Sequence, residues 1–452
     1  MAQEVVRSHP RKLNSHRHSP TMLAAYLFLL AMLLGLGAGS VAEGQGGTGA
    51  VERLALTTAS PQEAITGFDE ESNGLASPAD HEADKEDFEE VEELDEGLGP
   101  LFNARSCADC HMNPVVGAGS QVTELRAGTR DRFGRFQNLN IPVGDGTVVI
   151  RDRSLVNDRS VCPNLLFPDQ EAYGRVPDTA NVRSFRVSIS TLGDGFVEAV
   201  PSSTLQRIAF EQCRRPDGVC GQALLVPVVE APGVLRVGRF GWKSQHASLL
   251  SFSGDAYLNE MGITSRLNPA DFISTCDMKA DPEDEPDSTG VAGVDRFARF
   301  MRATKAPARD ARLAATVEAR IGADIFDRIG CDKCHVQDLV TAAEGSVING
   351  GTFTVPAALG NKVFHPFGDF LLHNVGTGDG IVQNGGQGTA NKIRTAALWG
   401  VRMRSRLMHD GESLTFADAI QRHGGEALGV RRNFNNLSDT EKGYLFTFLR
   451  SL

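Results

Sequence analysis

The sequence predicts a mainly α fold with many loops and a few short strands, divided over two domains. Three observations carry that expectation. One five-residue pattern occurs twice, as Cys107-Ala108-Asp109-Cys110-His111 and Cys331-Asp332-Lys333-Cys334-His335. Glycine is abundant (48) and tyrosine scarce (4) among 452 residues, which suits long irregular connections. Apolar residues recur at helical spacing ahead of the second pattern and at the C-terminus.

Both patterns read C-x-x-C-H, the attachment pattern of a c-type haem. Two thiols one helical turn apart add to the haem vinyl groups, and the next residue presents an imidazole to the iron. With 8 Cys and 11 His in the chain, roughly 0.003 copies are expected by chance. The rival is a zinc site built from two CxxC pairs, but such sites lie in one compact ribbon, and these pairs are far apart. The expectation is two covalently bound c-type haems, anchored by Cys107, Cys110, Cys331 and Cys334, with His111 and His335 as proximal ligands.

The chain is read in order as follows. Residues 1–42 resemble an export leader: a basic stretch (Arg7, Arg11, Lys12, Arg17), an apolar run from Met22 to Leu36, and small residues ending in Ser40-x-Ala42. The alternative is an uncleaved anchor over residues 22–36, though that run is shorter than the ~20 residues a span prefers. No second long apolar stretch follows, so no other membrane contact is expected. Residues 43–61 read as a linker. Asp69 to Glu96 is acidic, either a solvated face or a docking surface for a basic partner, with a short helix expected over Asp84–Leu94. Short strands are expected at Val122–Leu125 and Thr147–Ile150, irregular chain over 151–180 and a loop over Phe185–Val200. Helices follow at Ser203–Gln212, Ser248–Met261 and Val294–Arg302, with Asp277–Asp287 a second acidic loop between the last two. Ala311–Ile329 is an amphipathic helix that delivers the second motif, 340–362 is a Gly-rich loop or hairpin, and helices at Thr415–Arg422 and Ser438–Leu452 close the chain. Helix, motif, loop and final helix is the shape of a small cytochrome c unit. The net charge of −12 argues against a nucleic-acid role and suits solubility or a basic redox partner. Cys162, Cys213, Cys220 and Cys276 remain. Disulfides are the expectation in an oxidising compartment, and Cys213 with Cys220 could close a short loop, although four cysteines allow three pairings.

Several separated blocks carry a family resemblance. They are Gly99-Pro100-Leu101-Phe102-Asn103 leading into Cys107, Gly193-Asp194-Gly195-Phe196 through Pro201, Gly238-Arg239-Phe240-Gly241-Trp242-Lys243, and Asn259-Glu260-Met261-Gly262. Toward the C-terminus come Arg394-Thr395 through Trp399-Gly400, His409-Asp410-Gly411 and His423-Gly424-Gly425-Glu426-Ala427. From about residue 62 to the end the chain resembles the bacterial di-haem oxidoreductases, also labelled thiol oxidoreductases. These are related to di-haem cytochrome c peroxidases and to the di-haem enzyme that matures methylamine dehydrogenase. The resemblance implies two cytochrome c-like domains facing each other, residues 62–308 (with insertions) and 309–452, one haem in each, in a periplasm.

It also implies roles. His423 would be the distal ligand of the second haem where the peroxidases have methionine, which would lower its potential. His409 would be a pocket or propionate contact, and His373 resembles the H-N-x-G segment; both are carried as candidate iron-site residues. Glu260 takes the place of the distal acid–base glutamate, while Phe252 stands where a glutamine accompanies it. Trp242 would lie between the haems as an electron relay. Arg105, Arg239 and Lys243 could pair with propionates. A Ca²⁺ between the domains occurs in the relatives, and Asn374–Asp379 is oxygen-rich. Three functions compete: a peroxidase-type oxidoreductase reducing a peroxide-like oxidant at the His111 haem, a non-enzymatic di-haem electron carrier that docks a redox protein such as a basic cytochrome, and thiol chemistry at the four remaining cysteines.

Overall fold

The computed structural model describes residues 60–143, 148–161, 176–273 and 285–452. The expected leader, nearly all of the linker, Cys162, Cys276 and most of the second acidic loop lie outside the described residues. From residue 60 onward the described chain belongs to one compact unit. Among the described residues no helix is long and apolar enough to cross a membrane.

The fold is mixed rather than mainly helical, with about a third of it helix and seventeen short strands among the described residues. The excess of strand comes from the Gly- and β-branched-rich stretch after the first motif. Thr123–Arg130 pairs antiparallel with Val182–Val187 along six residues and also borders Phe136–Gln137 and Leu155–Val156. Alternation along this strand buries Leu125 and Ala127 in a small core with Leu101, Ile141 and Ile150, and turns Glu124 and Arg126 to the other face. The expected loop over 185–200 is therefore partly strand, and it also contains a one-turn helix.

The helices follow their capping signals. Helix α1, Pro78–Glu89, begins earlier than expected because Ser77 caps it, accepting from the Asp80 amide (3.1 Å), with Pro78 at the first position. It stops before Val91 and Leu94, which are exposed, and buries Phe88. The one-turn helix α2 is Asp194–Glu198, and α3 is Ser202–Cys213. Helix α4, Leu249–Ala256, is capped by Ser248 and widens into a π turn over Tyr257–Met261 that carries Glu260. Helix α5, Gly293–Ala303, buries Val294, Phe297, Ala298 and Met301 at the expected spacing. Part of the acidic stretch is paired internally. Asp84 of α1 accepts two hydrogen bonds from Arg299 of α5 (2.6 Å each), and Asp87 pairs with Arg296 at 2.9 Å.

The helix expected over 311–329 is two: α6, Ala311–Ala314, and α7, Val317–Ile329, separated where Thr316 caps the second. Helix α8 is Phe416–Arg422, α9 is Leu428–Asn435 and α10 is Asp439–Ser451, the last opened by a Ser438/Glu441 capping box. Helices α7 and α10 cross closely. A Cβ on Gly322 would lie 2.1 Å from the Tyr444 carbonyl oxygen, so only glycine fits there. Phe326 and Phe448 fill the crossing at 5.3 Å, each worth about 1.5–3 kcal/mol of burial. The largest core is shared by both halves of the chain. Phe196 meets Phe364 at 6.0 Å, Trp399 lies beyond it at 5.7 Å, and Gln62–Glu63 adds a parallel strand to Lys362–Val363. Cys213 and Cys220 form the short-loop disulfide.

Candidate haem sites

The second motif is set by the end of α7. Gly330, at φ 95°, terminates the helix in the left-handed conformation. One tight turn over Cys331–Lys333 then brings Cys331, Cys334 and His335 to a cavity. His335 Nδ1 donates to the Phe367 carbonyl at 3.0 Å. A carbonyl can only accept, so the proton sits on Nδ1 and Nε2 keeps its lone pair. Burial pushes this imidazole down to about 4, the neutral form a metal needs. His423 lines the same cavity just past α8 and repeats the device: its Nδ1 donates to Ala419 O at 2.7 Å, and burial lowers its pKa.

The remaining walls fit a haem. They are largely apolar, with Phe326, Ile420, Leu445 and Leu449 among them. Into them project polar groups whose needs the protein does not meet. Thr377 Oγ1 and His409 Nδ1 are buried without a hydrogen-bond partner among the described residues. The Arg404 guanidinium is pushed down to about 10 by burial that no anion offsets. Orphaned polar groups in an apolar cavity call for a ligand with matching acceptors, and the two propionates of a haem are such acceptors.

The first motif turns directly off α1: the Ala108 amide donates to Phe88 O at 3.1 Å, and the Phe88 and His111 rings are 6.3 Å apart. His111 is half-buried and held near 4 by desolvation, with Nδ1 donating to Ala118 O at 3.2 Å as His335 and His423 donate to their carbonyls, and with a further backbone bond to Ile189. The motif thiols on both sides are raised by burial, Cys110 and Cys331 to about 12.

Glu260 stands close enough to Cys110 to raise its thiol further. Its carboxyl accepts from Asn103 Nδ2 at 2.7 Å and is hydrogen-bonded to the carboxyl of Glu124. Arg126 grips Glu124 through two bonds of 2.7 and 2.8 Å. Burial and the neighbouring Glu124 raise Glu260 to about 8. Burial would raise Glu124 as well, but the charge and hydrogen bonds of Arg126, with Arg186 behind it, hold it low. Two carboxyls that share a hydrogen bond divide their roles in this way, one keeping a proton and the other ionised. Sequence reading missed Glu124, Arg126 and Asn103; the alternation Glu124-x-Arg126 was the only signal, and strand pairing alone gives it meaning.

Trp242 lies in the wall of the second cavity, donates Nε1–H to Val187 O at 2.8 Å, and meets His409 edge-on at 6.1 Å. Val187 to Ser190 line that cavity too, and Ile189 bonds the His111 ring through its backbone. The end of one strand therefore borders the second cavity and contacts His111 of the first motif.

Other expectations are corrected. His373 is buried between Asp369 (3.0 Å) and Glu426 (2.9 Å), with Nδ1 3.8 Å from Cys334 Sγ. Burial disfavours its charge, but the carboxylates raise it to about 12, so it is a protonated clamp with no lone pair for iron. Cys334, Asp369 and His373 do cluster, but both ring nitrogens are already used. Arg239 donates to the carbonyls of Val197, Val200 and Val237 inside the core. Lys243 Nζ sits among Asp379 and the carbonyls of Thr389, Ala390 and Lys392. Arg105 bonds Glu92 O and pairs with Glu93. None of the three lines the second cavity, whereas Arg404 does. The only carboxylate of 374–379, Asp379, is neutralised by Arg186 (2.6 Å) and Lys243 (3.2 Å), which leaves no anionic oxygen there for Ca²⁺. Glu198 is structural, bound to Arg302 (2.6 Å), Asn349 and the Leu249 amide.

Residues 174–452 match the family described as "Di-haem oxidoreductase, putative peroxidase". No curated protein matches the chain. Similar solved structures include hydrazine synthase from Kuenenia stuttgartiensis (14% identity, 92% of this chain and 100% of that one, TM-score 0.36). A MauG-like protein associated with microbial copper homeostasis follows (17%, 58% and 89%, TM-score 0.30). A third is the diheme peroxidase BthA from Burkholderia thailandensis (14%, 73% and 94%, TM-score 0.30). At this level of likeness none of these structures bears on the site.

Proposed function

The chain belongs to the di-haem oxidoreductase family, and from that premise we propose that it reduces a peroxide at the His111 site with electrons received at the His335/His423 site. When bound, the two haems supply the one-electron redox chemistry. Cys107 and Cys110 would hold one covalently, and Cys331 and Cys334 the other, in the halves 62–308 and 309–452. His335 and His423, which line one cavity, would ligate the second iron, and Arg404, Thr377 and His409 would meet its propionates. Trp242 carries electrons from the second site toward the first.

The observation that carries the reading is the Glu260–Glu124 pair beside the first motif. Glu260, still protonated at neutral pH, gives its proton to the departing oxygen of the peroxide. Arg126 keeps Glu124 ionised and Asn103 orients Glu260. Hydrogen peroxide would take two electrons and two protons and leave as two waters. Exposed Glu86, Glu89, Glu90 and Glu93 flank the first motif and suit a basic redox protein, whose exchange would weaken at high salt. Residues 1–42 would export the chain to a periplasm, where such attachment takes place.

The test is the electron paramagnetic resonance spectrum of the holoprotein, oxidised and half-reduced, with and without peroxide. A high-spin signal that peroxide changes, and that Glu260→Gln leaves unreactive, supports the enzyme. Two low-spin signals indifferent to peroxide make the protein an electron carrier.

A further inference from the structure

The Cys213–Cys220 disulfide is exposed at the surface, yet the small loop it closes is built into the second site. Asp217, inside the loop, pairs with Lys333 of the C-x-x-C-H motif at 2.8 Å. Val219 is buried and forms part of the cavity wall. The Cys220 amide donates to Glu426 Oε2 at 2.9 Å, and Glu426 lies on the turn that follows His423. That turn is otherwise held by Gly424 N to Val375 O (2.6 Å) and Glu426 N to Asn374 O (2.9 Å), and the Glu426 carboxylate also accepts from Asn374 N and His373 Nδ1 (2.9 Å each). Beside the disulfide, Gln212 is buried. It donates to Lys333 O and Asp369 Oδ2 (2.7 Å each) and accepts from the Gly221 amide at 3.0 Å. The disulfide thus ties the motif turn on one side to the His423 turn on the other.

We propose that Cys213–Cys220 is a thiol–disulfide exchange site for a dithiol reductant, and that its state sets how firmly residues 423–427 present His423. A thiolate of the dithiol attacks one exposed sulfur, the Cys213–Cys220 bond breaks, and a mixed disulfide forms. The second thiol of the reductant resolves it. Two electrons and two protons pass from the dithiol, which leaves as its own disulfide, to Cys213 and Cys220 as free thiols. The opened loop regains chain entropy that the cross-link had removed. It is then held only by its non-covalent contacts, chiefly the half-exposed Asp217–Lys333 pair and the Cys220–Glu426 bond. Glu426 keeps His373 and the Asn374 amide, but the Cys220 amide is no longer fixed in place, and the turn carrying His423 loosens. The effect on the iron rests on the reading of His335 and His423 as the second ligand pair.

The test uses holoprotein with ferric iron. Dithiothreitol followed by thiol labelling and tryptic mapping should mark Cys213 and Cys220. In the double variant Cys213→Ser/Cys220→Ser, deuterium exchange at the amides of 423–427 should rise about tenfold, with 317–329 unchanged. Glu426→Gln, with the disulfide intact, should produce part of the same rise. If the double variant does not fold, wild type reduced and then reoxidised should show the rise and its reversal. Failure of dithiothreitol to expose these two thiols, or equal exchange at 423–427 in both states, overturns the proposal. A missing low-spin signal in untreated protein would instead overturn the ligand reading, and the exchange measurement would still decide the loop.

Discussion

Glu124, on the central strand of the sheet, and Glu260, on the π turn after α4, are joined carboxyl to carboxyl beside the first C-x-x-C-H motif. Arg126 holds the first of them ionised, so the proton of the pair resides on Glu260. Neither the strand nor the turn would place an acid there alone.

That division sets a pH dependence. Glu260 is protonated below about 8, so peroxide turnover should be flat at neutral pH and fall as pH rises through about 8. Glu260→Gln should lower turnover by about a hundredfold or more and abolish the alkaline limb, as read by steady-state rates against pH. The stability effect has the same direction. The folded state holds a proton that the unfolded chain releases near 4.5, so the contribution is full below that value and is lost as pH rises toward 8. The melting temperature of Glu260→Gln relative to wild type should therefore improve at alkaline pH.

His423→Met should raise the reduction potential of the second haem, because a thioether disfavours the ferric state relative to imidazole. A spectroelectrochemical titration reads this directly. An unchanged potential would remove His423 from the iron.

Glu198→Gln should cost about 3–5 kcal/mol of stability. It leaves Arg302 buried without its counter-charge, and the carboxylate also serves Asn349 and the start of α4. Chemical denaturation measures the loss, and peroxide reactivity of the surviving folded protein should be retained.

Gly322→Ala should destabilise by about 1–3 kcal/mol, since its methyl group would meet the Tyr444 carbonyl at 2.1 Å. Gly429→Ala in α9 is the control. Nothing lies within 4 Å of its Cβ, so helix propensity should stabilise it by about 0.5–1 kcal/mol. Thermal melts of the two variants should move in opposite directions.

Local signals in the sequence were read well where one segment decides. The spacing of Phe297, Phe300 and Met301 announced α5, whose buried face they form, and the helices expected from Ser248 and Ser438 begin beside those residues. The strand content was underestimated because pairs such as Thr123–Arg130 with Val182–Val187 join segments that look irregular singly. Arg239 and Lys243 misled for a related reason. A cation in a family block can serve an iron site or cap buried carbonyls, and only the fold shows which oxygens surround it.

The amino-acid sequence alone marked Cys107, Cys110, His111, Cys331, Cys334 and His335 as candidate haem residues, because the attachment pattern is five contiguous residues, and its family resemblance marked His423 as the candidate opposite ligand. Tertiary structure decided the rest. It set Glu124 against Glu260, Arg404 into the second cavity, His373 between two carboxylates, and the Cys213–Cys220 loop onto the His423 turn. Each is a contact between distant segments, where burial and the neighbouring charge, rather than the residue type, fix what the side chain can do.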